Sequence, residues 1–182
     1  RQRQMCIRDR PDVVERSQLL YAQRLSTSID AIRRGIARAL LYVEPQNVLF
    51  SDTLDALERL ASKGLKMAIV GNTLFWPSSY TRFLLEKIGI SRHFMVQLYA
   101  DEIGVSKPDR RIFTKLCRIL NVEPECGLHV GDGVVEDVGG ALSAGMKAAL
   151  VKRDISEVVI QKEVGLAIVP DLKSLPEILD RL

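Results

Sequence analysis

The stretch CGLHVGDGVVEDVGGALSAGMKAALV, residues 126–151, decides the fold. The apolar run 126–130 predicts a strand that ends in Gly131-Asp132-Gly133. A small-residue helix is predicted around 137–144, and a second apolar strand at 148–151. Strand, helix and strand in so short a span predict a parallel crossover. Working outward, strands are predicted at 66–70, 94–98 and 166–169. Helices are predicted at 79–88, at 109–120 with Asp109 as cap, and at 175–182. A further helix is expected over 51–63, with Leu54, Leu57 and Leu60 on one face and Gly64 closing it. The fold class that follows is α/β, a doubly wound, Rossmann-like parallel sheet.

Ahead of this alternation, residues 11–42 carry a helical pattern throughout. Ile29, Ile32, Ile36 and Leu40 recur at helical spacing, Thr27 and Asp30 form a candidate capping pair, and Pro45 stops the helix. The first ten residues, RQRQMCIRDR, have neither helical nor strand periodicity and are read as foreign or disordered sequence without chemistry. The expected organisation is therefore 1–10 outside the fold, 11–50 a helical segment, and 51–182 the α/β core.

The 182 residues suffice for one domain with a core that buries ~70% of the unfolded surface. At 47% hydrophobic and 27% charged residues the chain reads as globular, and no apolar run approaches the ~18 residues of a membrane helix. The net charge of +3 comes from the first ten residues; without them 22 Lys and Arg face 22 Asp and Glu. No basic stripe remains, so nucleic acid is not an expected partner, nor is a membrane. Three cysteines without CxxC spacing and two histidines assemble no zinc set. No apolar segment of a signal peptide is present near the start, and the cytoplasm is the expected location. Oligomeric state is not legible.

In open α/β sheets ligands bind beyond the carboxyl ends of the strands. Three such places carry chemistry here. Asp132, Glu136 and Asp137 put three carboxylates within six residues after a strand, where they repel unless a cation holds them; Mg²⁺ is the expected one. The structural alternative is a turn cap followed by a helix N-terminus. Gly71-Asn72-Thr73 follows the strand at 66–70, and its N–H groups and short polar side chains suit phosphate oxygens, although such loops also simply turn. Lys107, fixed by Pro108, suits a phosphate or a buried carboxylate rather than a solvated surface.

Together the three features resemble the haloacid dehalogenase superfamily, in its phosphatase-like branch. Ile69-Val70-Gly71-Asn72-Thr73 is similar to that family's second motif, Lys107-Pro108 to its third, and Gly131-Asp132 through Asp137 to its fourth, GD-x(4)-D. The spacings agree, with 35 residues from Asn72 to Lys107 and 25 from Lys107 to Asp132. The resemblance covers residues 12–182. It implies a Rossmann-like core with a helical cap, of which 12–50 is a part, and Mg²⁺-dependent hydrolysis of a small phosphorylated metabolite through an aspartyl-phosphate. It further implies that Asp132 and Asp137 serve the metal, that Lys107 is catalytic in offsetting charge, and that Gly71, Asn72 and Thr73 line the phosphate pocket.

Two departures stand out. The first motif of the family, a hydrophobic strand followed by Asp-x-Asp-x-Thr, is nowhere in the chain, and Ser51-Asp52-Thr53-Leu54-Asp55 has the wrong spacing for it. The nucleophile and the central strand that carries it are thus expected to lie outside this chain, which alone is expected to be inactive. Gly71 also stands where the family places Ser or Thr. Three other readings compete: a non-catalytic relative that binds a ligand or partner; a nucleotide- or methyl-donor-binding domain using GDG, which would need its glycines after the first strand; and a dehalogenase within the same family, against which the GD-x(4)-D pattern favours phosphate chemistry. Phe75 and Trp76 suit either a pocket wall or packing, Cys117 suits the core, and His129 suits a buried, hydrogen-bonded role better than that of a general base.

Overall fold

A computed structural model describes residues 12–182. The expectation for residues 1–10 lies outside the described residues. Two antiparallel helices come first, α1 (Val13–Arg24) and α2 (Ile29–Leu41). The helical pattern expected over 11–42 forms two helices, separated where Ser26 adopts a φ of 51°. Ser28 then caps α2 through its hydroxyl, which accepts the Ala31 N–H at 3.1 Å. The capping pair expected at Thr27 and Asp30 is therefore replaced by Ser28, whose shorter reach to the third N–H is the usual solution.

The alternating part contains α3 (Thr53–Ser62), β1 (Ala68–Gly71), α4 (Ser78–Lys87), β2 (Val96–Tyr99), α5 (Ala100–Ile103) and α6 (Arg110–Leu120). It continues with β3 (Leu128–Gly131), α7 (Gly140–Ser143), β4 (Lys147–Val151), β5 (Val159–Gln161), β6 (Leu166–Val169) and α8 (Leu175–Ile178). Asp109 caps α6 as expected, accepting the Arg111 N–H at 2.9 Å. The helix expected around 137–144 begins instead as a π-helical turn, Val134–Gly139, and only then tightens into α7. β5 was not expected: it is three residues long, half exposed and at the sheet edge, too short to give a periodic signal.

Among the described residues the strands form two sheets, β1-β2 and β3-β4-β6-β5. Every pairing is parallel except β5 with β6. Neighbouring residues of β4 face opposite sides. Ala148 joins the cluster of Val70, Leu98, Ile112, Phe113 and Ala141, whereas Ala149 joins that of Ala167, Val169, Leu175 and Ile178. Both sheet faces are covered, which is the doubly wound architecture read from the sequence. The first cluster contains residues of both sheets, because α6 packs against β1 and β2 while its Phe113 also meets Gly140 of α7. The two sheets thus share one core, with α6 spanning them.

Candidate active site

The carboxyl ends of β1 and β3 converge on Lys107, which is joined by a cis peptide bond to Pro108. Its ammonium donates to Asp137 Oδ1 at 2.6 Å, and both side chains are nearly buried. His129 of β3 meets the same oxygen through Nε2 at 2.8 Å, while its ring stands edge-on to Phe113 at 4.9 Å. The Gly133 N–H donates to the other oxygen, Oδ2, at 2.9 Å. Burial works to raise the pKa of Asp137. It is outweighed by the bonds from His129 and Lys107, the Lys107 charge and the Gly133 N–H, so the carboxyl stays well below the usual carboxylate range.

The glycines of Gly131-Asp132-Gly133 make room for that carboxylate. A Cβ on Gly131 would lie 2.2 Å from Asp137 Cγ, and one on Gly133 would lie 2.9 Å from Asp137 Oδ2. The π-helical turn swings Asp137 back over the end of β3, and only residues without side chains fit beneath it. Asp132, between the two glycines, points outward and is exposed.

At the end of β1 the polar side chains are already engaged. Asn72 Nδ2 donates to the Lys107 carbonyl at 2.9 Å, and the Lys107 N–H donates to Asn72 Oδ1 at 2.8 Å. The Thr73 hydroxyl donates to Asp101 Oδ1 at 2.8 Å, and the Ser78 N–H donates to Asp101 Oδ2 at 2.9 Å. Burial would raise the Asp101 pKa, but these donors hold it below its ordinary value. Thr73 therefore offers no free hydroxyl in place of the one missing at position 71. Gly71 pairs with Tyr99 across the sheet, and a Cβ on it would lie 2.6 Å from Tyr99 Cδ1. The Tyr99 ring fills the space that a Ser or Thr side chain would take. Burial pushes its hydroxyl up to about 12, so it stays protonated and donates to Gln97 Oε1 at 3.0 Å.

The loop after Thr73 is covered by α1. Gln18 Nε2 donates to the Phe75 carbonyl at 2.9 Å, the Ser17 hydroxyl bonds the Leu74 carbonyl, and the Tyr21 and Phe75 rings lie 4.6 Å apart. Phe75 and Trp76 also line a cleft of ≈ 370 Å³ bounded by Ile69, Gly71, Thr81 and Tyr99. The aromatic pair thus both packs and lines a pocket.

Asn72, Lys107, Asp137 and the Gly133 N–H thus meet at the ends of β1 and β3. The sequence profile of the haloacid dehalogenase-like hydrolases matches residues 7–145. The chain belongs to this family. It is 31% identical over 137 residues to a glyceraldehyde 3-phosphate phosphatase of Methanothermobacter thermautotrophicus, covering 71% of this chain and 58% of that protein. It is 30% identical over 122 residues to a phosphoserine phosphatase of Thermus thermophilus, covering 67% of this chain and 48% of that one. The crystal structure of a HAD phosphatase from Thermococcus onnurineus superposes with a TM-score of 0.64 at 25% identity, covering 93% of this chain and 87% of that one. A 2-haloacid dehalogenase from Pseudomonas syringae superposes at 0.60 with 26% identity, covering 73% and 54%. The chain spans about half the length of the curated relatives it matches.

In this haloacid dehalogenase-like chain, the residues expected to serve chemistry are only partly drawn together. Lys107, Asn72 and Asp137 form one bonded chain, Asp132 lies at its rim, and Thr73 turns away toward Asp101. Among the described residues no three His, Cys, Asp or Glu side chains group closely enough to hold a metal. Asp137 Oδ2 has a second lone pair beyond its bond to Gly133, and Asp132 is exposed. His129 was read as buried and hydrogen-bonded, but its bond to Asp137 was not foreseen. The signal was its place two residues before Gly131, on the face over which Asp137 folds. Asp101 was missed although it lies two residues after the end of β2, where the ligand rule applies.

Proposed function

We propose that the site is the metal- and phosphate-binding half of a phosphomonoester hydrolase centre acting on a small phosphorylated metabolite. The observation that carries this reading is the nearly buried Lys107–Asp137 ion pair, 2.6 Å long, at the carboxyl end of a parallel sheet. Such a pair sets a fixed positive charge beside carboxylates, which suits a transferring phosphoryl group. The phosphatase names of the relatives support the same class. Asp132 and Asp137 are the residues that would hold Mg²⁺, which when bound offsets phosphoryl charge as a Lewis acid. Lys107 is the catalytic residue of this chain, and Gly71, Asn72 and Thr73 border the phosphate through their main chain. The covalent step, an aspartyl-phosphate, is assigned to an Asp-x-Asp-x-Thr strand that this sequence does not contain. Residues 1–182 are therefore expected to bind but not to turn over, and residues 12–50 act as part of a cap.

The test is calorimetric titration of inorganic phosphate with Mg²⁺, alongside phosphate release from a panel of small phosphomonoesters. Lys107→Met is expected to weaken phosphate binding by about tenfold to a hundredfold, the loss of one charge-assisted contact. Adding a hydrophobic strand with Asp-x-Asp-x-Thr ahead of residue 12 is expected to create turnover that Lys107→Met abolishes. Full turnover by residues 1–182 alone, or no phosphate binding with Mg²⁺, overturns the reading.

A further inference from the structure

We infer that Asn72 is a positioning residue that acts through Lys107, holding its peptide so that the ammonium meets Asp137. The inference rests on the proposed site but changes the role of one member of it. The side-chain amide of Asn72 holds the Lys107 main chain on both sides, donating to its carbonyl at 2.9 Å and accepting from its N–H at 2.8 Å. Only an amide carries a donor and an acceptor side by side, and Gln is one methylene longer, so the geometry calls for Asn. With both polar groups of residue 107 engaged by one side chain, the start of the lysine side chain has a fixed position. Its far end is fixed by Asp137 Oδ1 at 2.6 Å.

The location strengthens the argument. Asn72 follows β1, whereas Asp137 and His129 belong to the β3 region, and β1 and β3 lie in different sheets. The path Asn72–Lys107–Asp137–His129 is a continuous run of hydrogen bonds from one sheet to the other. A shift of the β1 end relative to β3 would reach the ammonium through Asn72. The neighbouring Thr73 is held by Asp101, which also takes the Ser78 N–H, so the loop that presents Asn72 is itself anchored.

The test is reductive methylation of the folded chain, with each lysine followed by mass spectrometry. It needs neither phosphate nor metal. Lys107 has a side chain 13% exposed and is paired, so it reacts slowly, and Lys152, with a side chain 53% exposed, is the internal reference. Asn72→Ala is expected to speed Lys107 relative to Lys152 by roughly fivefold or more, as one to two hydrogen bonds are lost. Asp137→Asn is expected to speed it as well, and adding Asn72→Ala to Asp137→Asn is expected to change nothing further. Asn72→Asp keeps the acceptor and the size, and is expected to fall between wild type and Asn72→Ala; it serves if Asn72→Ala does not fold. An unchanged Lys107 rate in both Asn72 variants overturns the inference, as does an equal rise at Lys107 and Lys152.

A phosphate titration separates this inference from the proposed function. Action through Lys107 predicts that Asn72→Ala adds nothing to Lys107→Met, whereas direct contact of Asn72 with phosphate predicts additive losses and overturns it. Failure of the wild type to bind phosphate counts against the proposed function alone, because the methylation result stands without it.

Discussion

Replacing Gly71 by Ser would give the chain the side chain its family carries there, and the structure predicts that it destabilises. The Cβ alone would lie 2.6 Å from Tyr99 Cδ1 and 2.7 Å from Cε1. Those are ring atoms close to the backbone, so the contact cannot be relieved by moving a flexible end. The ring is held in place: Tyr99 is 1% exposed, its hydroxyl is bonded to Gln97, and the Arg82 guanidinium lies 4.9 Å from its centroid. Gly71 does not have a positive φ, so backbone strain does not enter and the effect is steric alone. Overpacking of this kind costs about 1–3 kcal/mol. Tyr99→Val opens the space at its own cavity cost. The double variant Gly71→Ser/Tyr99→Val is then expected to be more stable than the sum of the single effects by about 1–3 kcal/mol. Urea unfolding of the four proteins gives the coupling from the midpoints, provided the slopes agree. Additivity within about 0.5 kcal/mol would refute the claim that Tyr99 excludes the hydroxyl.

Three further outcomes are expected. Asp137→Asn leaves the Lys107 ammonium without its counter-charge and is expected to lose about 3–5 kcal/mol of stability at neutral pH. In the wild type the depressed Asp137 pKa contributes stability that is full above the ordinary carboxylate range and fades as pH falls below about 4, so acid titration of the variant is expected to show a shallower loss. Gly131→Ala sets a methyl 2.2 Å from Asp137 Cγ and pushes that side chain off Lys107. Its denaturation midpoint is expected to fall, and the fall is expected to persist beside Asp137→Asn, whose amide keeps the bulk of the carboxylate and so keeps the clash. Asp52→Asn weakens a bidentate bond to Arg153, at 3.1 and 3.2 Å, and the acceptor of the Leu172 N–H at 2.7 Å. Burial would raise the Asp52 pKa, yet those donors lower it, so the about 1–3 kcal/mol lost at neutral pH is expected to shrink toward zero in acid.

The longer apolar strands were legible in the sequence: β6 lies where it was read, and β1, β2, β3 and β4 lie within two residues of their expected places. The start of α2 was legible to within a residue from the Thr27–Asp30 pair, but the turn that precedes it was not, because it rests on one residue, Ser26, with a positive φ inside an otherwise helical pattern. Serine carries no signal for that conformation as glycine does. The candidate site was legible as a set of strand ends but not as a set of bonds. Nothing in the sequence told that Asn72 reaches across 35 residues to a peptide group, or that Thr73 turns to Asp101. Such pairings depend on which loops the fold brings side by side. The departure at Gly71 was visible, but its cause lies in Tyr99, a strand neighbour that only the register reveals.

The crowding beneath Asp137 carries a consequence for ancestry. Because that carboxylate occupies the space above Gly131 and Gly133, the three positions cannot drift separately: a methyl at either glycine becomes tolerable only after the acid has shortened or moved. A lineage that abandoned the chemistry would be expected to lose the acid first and fill the glycines later. Bare positions at 131 and 133 are then a record that the acid at 137 still folds back, legible in a descendant even where no activity can be measured.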